Sequence, residues 1–437
     1  MAVLLYIHER STIAHVIQRS HQFRFYPTEA QAKTLGQCFG AARWVWNTAL
    51  AWRSAAYKID GERVTGVDFS RELTWLKTLE PYAWLRDVPA TVFAQTLRDQ
   101  DRAFANFFAK RARYPRFKKR RAAASIRYQI DQRSVMNVYR AGDMLKLPGL
   151  GALDIRWSRV PGGAPKMVTV RVDACGRWFV SFMVEEHIAP LPASASGVGV
   201  DLGVNDIVVT SDGRKSGNPR HLKRYRRRLK LAQRRLSRKR KGSIRWRKQV
   251  KRVARIHARV ADTRSDHQHK LTTGLIREHG VIALEDLNVR GMTASAKGTA
   301  EAPGKKVAQK AGLNRSILDA GFGEIRRQLE YKAQFYGRTI VLADRFAPTS
   351  KTCSECGAYQ ADMPLKVRVW TCPDCGAVND RDSNAARNIL AMAAGGRPVD
   401  VHGGRRTPSA TTNSGCGMLA PVEMRTNPEC VGASHGR

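Results

Sequence analysis

Cys353-Ser354-Glu355-Cys356-Gly357, then Cys372-Pro373-Asp374-Cys375-Gly376, then Asp380-Arg381-Asp382-Ser383-Asn384-Ala385-Ala386 is the stretch on which the reading of this chain turns. Four thiolates in two Cys-x-x-Cys pairs, fifteen residues apart, have the spacing of a four-cysteine zinc ribbon. Gly357 and Gly376 follow the pairs and let each turn fold tightly enough for both sulfurs to face one ion. Disulfides are the competing reading. Met1–Tyr6 is apolar but short, lacks a basic segment before it and runs into His8, Glu9 and Arg10, so nothing reads as a secretory signal. The expectation is a structural Zn2+ on Cys353, Cys356, Cys372 and Cys375, with Asp382 opening a helix directly after the metal-folded insert.

Two further segments set acids at strand ends. Ser196-Gly197-Val198-Gly199-Val200-Asp201-Leu202 buries one acid among apolar neighbours, and Ile207–Thr210 reads as a returning strand. Gly280-Val281-Ile282-Ala283-Leu284-Glu285-Asp286 repeats the theme. A buried carboxylate without a cation or donor costs several kcal/mol, on the order of desolvation values. Three converging carboxylates stay ionised only around cations, usually Mg2+, and two such ions about 4 Å apart can cleave a phosphodiester. Each acid has a plainer reading: Asp201 in a strand-end turn, Glu285 paired with an arginine, Asp382 capping its helix. Periodicity does not choose between Glu285 and Asp286, which point to opposite faces.

Charge narrows the partners. The chain has 437 residues, a net charge of +39 and 43% hydrophobic residues, which describes a globular protein of two or three domains facing a polyanion. No apolar run approaches the ~20 residues of a membrane span. The expected setting is the cytoplasm and the expected partner nucleic acid, with no membrane. Residues 213–261 hold 22 Lys/Arg and no Asp or Glu. They keep helical stripes at Leu222, Tyr225, Leu229, Leu236 and at Trp246, Val250, Val253, Val260, with a bend at Lys241-Gly242-Ser243. A basic helical hairpin follows, with Arg226, Arg227, Arg234 and Arg235 as candidate phosphate contacts; a solvated face is the alternative.

The N-terminal half is mixed. His21–Tyr26 reads as a strand entering a helix at Pro27-Thr28, and the pattern then stays helical to about Lys110, with Phe93, Leu97, Phe104 and Phe108 as core. Tyr114–Arg121 interleaves aromatics and cations, which makes Arg116, Lys118 and Lys119 candidate nucleic-acid contacts or a solvated loop. Leu145–Leu147, Leu153–Trp157 and a hairpin of Met167–Val172 with Trp178–Val184 suggest a small barrel completed by the Phe23 strand, the helical segment being its insertion.

The runs Asn314-Arg315-Ser316-Ile317-Leu318-Asp319-Ala320-Gly321-Phe322-Gly323-Glu324, Ser350–Gly357 and Asp380–Ala386 together resemble the TnpB (OrfB) family of insertion-sequence transposases. Phe23–Thr28, Arg43-Trp44-Val45-Trp46-Asn47 and Tyr114–Lys118 are similar as well, so the resemblance spans roughly residues 21–394. It implies an α+β multidomain chain related to the single-nuclease CRISPR effectors. A RuvC-like (RNase H-type) α/β nuclease domain (193–352 and 378–394) would carry the zinc ribbon (353–377) as an insertion. A β-barrel wedge domain (21–27 and 121–192) would carry a helical recognition domain (28–120). Residues 1–20 would be an extension and 395–437 a disordered tail. The resemblance also implies Asp201, Glu285 and Asp382 as the Mg2+-binding catalytic triad. The implied partners are a guide RNA from the transposon end and target DNA cut beside a short motif. Three rivals remain: an idle nucleic-acid-binding regulator of transposition, a junction nuclease working without RNA, and a DNA strand transferase. Oligomeric state is not legible.

Overall fold

Polar and apolar residues alternate through the N-terminal half because one antiparallel ladder runs through it. The computed structural model describes residues 15–120, 123–129, 145–163, 165, 167–364 and 366–393, all within one compact unit. The expected tail and residues 1–14 lie outside the described residues. Strand β1 (His15–Phe25) pairs along its whole length with β7 (Trp178–Ile188), from His15↔Ile188 to Phe25↔Trp178. The sheet thus begins before residue 21, where the sequence placed its start. Alternation is hidden there because Arg19 and His21 on the inward face are polar: both reach Glu186, Arg19 Nη1 at 3.4 Å and the buried His21 at 2.5 Å. With β2 (Ala124–Gln129), β5 (Ile155–Arg156) and β6 (Met167–Val172) the order is β2-β6-β7-β1-β5. Its edge strands β2 and β5 are not joined, so among the described residues the ladder is open where a barrel was expected. The expected strand over 153–157 breaks at Asp154: β4 (Gly151–Leu153) pairs with β3 (Leu145–Leu147), whereas β5 pairs with β1.

Helix α1 (Glu29–Ile59) leaves β1 through a capping box in which Thr28 and Gln31 each accept the other's backbone N–H. Leu35, Cys38, Ala42, Val45 and Ala49 form its buried stripe. Helices α2 (Gly66–Leu76) and α3 (Ala90–Phe108) pack beside it, joined by a 3-10 segment, Glu80–Asp87. Phe93 and Leu97 are core, as expected, but Phe108 is exposed and stacks with the half-buried Phe104.

The C-terminal half holds a second sheet of order β11-β10-β8-β9. In it β10 (Val281–Glu285) lies parallel between β8 (Gly197–Asp201) and β11 (Thr339–Ala343), and β9 (Val209–Thr210) is an antiparallel edge. The returning strand is shorter than expected: Ile207 bonds to Gly217 O and Val208 to Ser216 Oγ instead of to the ladder. Helices α4 (His221–Ser237) and α5 (Ile244–Glu278) make the basic hairpin, bent where expected. The short α6 (Val289–Met292), then α7 (Val307–Ala320) and α8 (Phe322–Tyr336), lead to β11. A two-stranded ribbon, β12 (Val369–Thr371) and β13 (Val378–Asp380), feeds α9 (Arg381–Ala393).

Candidate metal centres and nucleic-acid surfaces

Strand periodicity and one glycine bring three acids together. Leu284 pairs with Val200, so Glu285 and Asp201 end adjacent parallel strands at the same level. Ala283, two residues before Glu285, packs against Ile389 and Ala393 of α9, so Glu285 faces that helix and Asp286 the other side. At Gly199 a Cβ would lie 1.9 Å from Ala386 O, so only glycine lets α9 cross β8 this closely. Asp201 shares the face of Gly199, and Asp382 shares the face of Ala386 one turn back, which sets Asp382 beside Asp201. Burial first, then the charges of Glu285 and Asp382, push the Asp201 carboxyl up to about 7.

The neighbouring acids are otherwise engaged. Asp286 is clasped by Arg326 (2.6 Å) and Arg345 (2.5 Å). Asp380 pairs with Lys215 at 2.8 Å and accepts the Ser383 N–H at 3.0 Å. Thr349 Oγ1 donates to Glu285 Oε1 at 2.8 Å, and Arg368 Nη1 lies 3.1 Å from Asp382 Oδ1. Thr349 and Arg368 gave no signal in the sequence. Gly199 did, as a glycine inside an apolar strand.

A carboxyl raised to about 7 has a stability consequence. The folded protein binds this proton more tightly than the unfolded chain. Its contribution is present below the ordinary carboxylate value, near 4, and is lost as pH rises through about 7. Without divalent cations, Asp201→Asn should therefore raise the thermal midpoint most at pH 8, by less at pH 5, where part of the contribution is already lost, and hardly at all below about pH 4. The raised carboxyl corresponds to about 4 kcal/mol at most. Adding Mg2+ should stabilise the natural protein at pH 8 and the variant little. Melting curves at these pH values test this, and equal midpoints at pH 8 would remove the crowding of charge inferred here.

The four cysteine sulfurs all lie within 4.8 Å of one another, with Cys353–Cys375 at 3.8 Å and Cys356–Cys372 at 3.6 Å. A tetrahedron with Zn–S bonds of about 2.3 Å has edges of about 3.8 Å, whereas a disulfide needs about 2.0 Å. The donor set fits zinc. Burial raises the Cys353 thiol, but N–H groups of Cys356 and Glu355 and the Asn379 amide outweigh it and bring it to about 6, favouring the thiolate.

Cationic surface lies on both halves. Arg226, Arg227, Arg234 and Arg235 are exposed on α4, whose apolar stripe at Leu229 packs towards α5, where Gln249 Nε2 donates to Ala232 O. The Tyr114–Lys119 strap is tied to α1, with Trp46 Nε1 donating to Arg116 O (3.0 Å) and Asn47 Nδ2 to Lys118 O (3.0 Å). Arg116 and Lys119 point to solvent, but the Lys118 ammonium sits 3.8 Å from the centre of the Trp46 ring, and burial pulls its pKa down. Lys118 is thus partly occupied within the protein.

Comparison with known proteins gives consistent relatives. Residues 181–296 match a family described as "Probable transposase" (OrfB, IS605 type), and residues 322–389 match a "Cas12f1-like, TNB domain". Residues 17–62 match a "Helix-turn-helix domain", although here they form strand β1 and the single helix α1. A Streptomyces pristinaespiralis protein named "Putative RNA-guided DNA endonuclease" is 46% identical over 378 residues, covering 86% of this chain and 89% of its own. Escherichia coli K12 InsQ, which carries the same description, is 37% identical over 87% of this chain and 96% of its own length. Among solved structures, the Cas12f1 chain of a complex with sgRNA and target DNA aligns with TM-score 0.50 and 12% identity. That alignment covers 86% of this chain and 99% of the other, and it supports a likeness of fold.

Proposed function

Because this chain belongs to the OrfB (TnpB) family of insertion-sequence proteins, we propose that it is a transposon-encoded, RNA-guided, Mg2+-dependent DNA endonuclease. The observation that carries the reading is the convergence of Asp201, Glu285 and Asp382, in which burial and the charges of the other two acids raise the Asp201 carboxyl to about 7. Three oxygen donors at the end of a sheet fit a hard divalent ion. Bound there, Mg2+ would supply Lewis-acid polarisation of the scissile phosphate and charge compensation at the leaving oxygen. The chain's own residues hold that arrangement. Thr349 orients Glu285 through its hydroxyl, Gly199 seats α9 so that Asp382 reaches the strand ends, and Arg326 and Arg345 keep Asp286 turned away. We read the four-stranded sheet with α9 as an RNase H-type (RuvC-like) domain, the cysteine ribbon as its structural zinc insertion, and the antiparallel sheet with helices α1–α3 as wedge and recognition parts.

Specificity would come from base pairing with a guide RNA, the protein holding heteroduplex backbone and reading a short duplex motif. Among the described residues no helix is long and apolar enough to cross a membrane; a cytoplasmic setting is part of the proposal. The test is a cleavage assay with protein co-expressed with its flanking transposon sequence. Mg2+-dependent cutting that disappears after RNase treatment is expected. An idle regulator would not cut, and a junction nuclease would cut branched DNA with the RNA removed.

The hairpin gives a separate expected result. Changing Arg226, Arg227, Arg234 and Arg235 together to glutamine should weaken RNA binding without regard to sequence. Each lost phosphate contact should flatten the slope of log K against log salt by roughly 0.7–0.9. Preference at the motif beside the target should not change, because phosphate contacts position and base contacts specify. Salt titrations of both proteins decide it: an unchanged slope would make these arginines a solvated face.

A further inference from the structure

The run Asn314–Asp319 belongs to the family pattern, yet nothing in the site described above uses it. In the structure it forms one wall of a cleft of about 410 Å3, facing the start of α4. Four cations, Arg220, Lys223, Arg226 and Arg315, line the cleft, and no side-chain hydrogen bond or ion pair engages any of them among the described residues. The one carboxylate in the lining, Asp319, is already spent: both its oxygens accept the Leu222 N–H (3.0 and 2.9 Å), and Oδ1 also accepts Arg264 Nη2 at 3.0 Å. At the end of β10, by contrast, Arg326 and Arg345 are neutralised by Asp286. Four unneutralised cations around one concavity repel each other and are relieved by an anion between them.

The cleft is also built at some cost. Arg220 takes a left-handed backbone, φ 46°, which disfavours a side-chain-bearing residue by roughly 1–2 kcal/mol. Asn218 fixes this turn: its Oδ1 accepts the Arg220 N–H at 2.8 Å, and its Nδ2 donates to Val204 O at 2.7 Å. Val204 lies three residues beyond Asp201, so the backbones at the cleft wall and at the acids are separated by at most ~11 Å. Asn218 therefore ties the cationic turn directly to the segment leaving the proposed metal site.

We propose that this cleft binds backbone phosphates of the DNA strand being cut, one or two nucleotides from the scissile linkage, with Arg315 and Lys223 as its principal contacts. The proposal rests on the nuclease reading. The cut strand must pass the three acids at the strand ends, and the cleft opens beside the same strand ends on the α7 side of the sheet; guide RNA is under no such requirement. Arginine forks suit phosphate oxygens and hold the strand in register, so these are positioning residues, not catalytic ones.

The test couples protein and substrate changes. Cut positions are mapped first on unmodified target DNA. Single-turnover cleavage by the full RNA-bound protein is then measured on targets carrying one neutral methylphosphonate linkage within two nucleotides of the cut. One such linkage is expected to slow the natural protein about tenfold, the worth of one charged contact. R315Q combined with K223Q should slow cutting of unmodified DNA by a similar factor, leave guide-RNA affinity unchanged and become insensitive to the same neutral linkage. R315K should recover part of the rate. Fully additive losses at every position, or a loss of RNA affinity in the double variant, would overturn the proposal while leaving the nuclease reading intact. Failure of the natural protein to cut unmodified DNA under any guide would remove both.

Discussion

Replacing Asp201, Glu285 or Asp382 singly with alanine is expected to lower Mg2+-dependent DNA cleavage by on the order of 10³-fold or more, with nucleic-acid binding nearly unchanged. Each acid sits at an element's end on one side of the sheet, and losing one ligand leaves ions misplaced against the scissile phosphate. The controls are built into the fold. Asp286 is held by Arg326 and Arg345, and Asp380 by Lys215 and the Ser383 N–H, so D286A and D380A should retain far more activity. Strong residual cutting by one of the three variants, with D286A or D380A inactive instead, would reassign the site.

Loss of zinc should have an effect as large by a different route. One equivalent of zinc per chain is expected, and the double variant C353S/C372S should lose both the metal and cleavage. Structural zinc sites contribute an apparent ~10–16 kcal/mol of binding energy to the fold they close. That energy reaches the acids through hydrogen bonds. The Ser354 N–H donates to Asn384 Oδ1 at 2.8 Å, and the Asn384 and Asn388 amides each donate to Thr352 O at 2.7 Å. Both amides also reach Thr349 O, and Thr349 is the residue that holds Glu285. Unfolding the ribbon therefore loosens Asp382 and Glu285 together. Metal analysis and cleavage of the same preparation decide the matter: zinc retained by the double variant, or full cutting without zinc, would contradict this coupling.

What was legible in the sequence follows from which signals are local. Cysteine spacing, apolar runs ending in acids and the charge-biased hairpin are local, and the structure has the ribbon, the strands and the bend at the expected residues. The choice between Glu285 and Asp286 was not legible from periodicity, because it depends on which face of β10 receives α9, which begins 96 residues after Glu285. The start of β1 was misplaced because Arg19 and His21, both satisfied by Glu186 from a distant strand, stand where alternation requires apolar residues. The break at Asp154 was hidden because adjacent short segments pair with different partners. Arg368 and Thr349, from loops with no periodicity, are seen beside the acids only once the chain is folded.

The measurement that bears most directly on the central claim is reprogramming. The protein is purified with RNA transcribed from its flanking transposon sequence. The guide segment of that RNA is then replaced by one matching a different site beside the same short motif, and cleavage products are mapped on a plasmid carrying both sites. An RNA-guided mechanism moves the cut to the new site with the new guide, requires Mg2+ and fails with D201A. Cutting that stays at the original site, or persists unchanged after all RNA is removed, would contradict it.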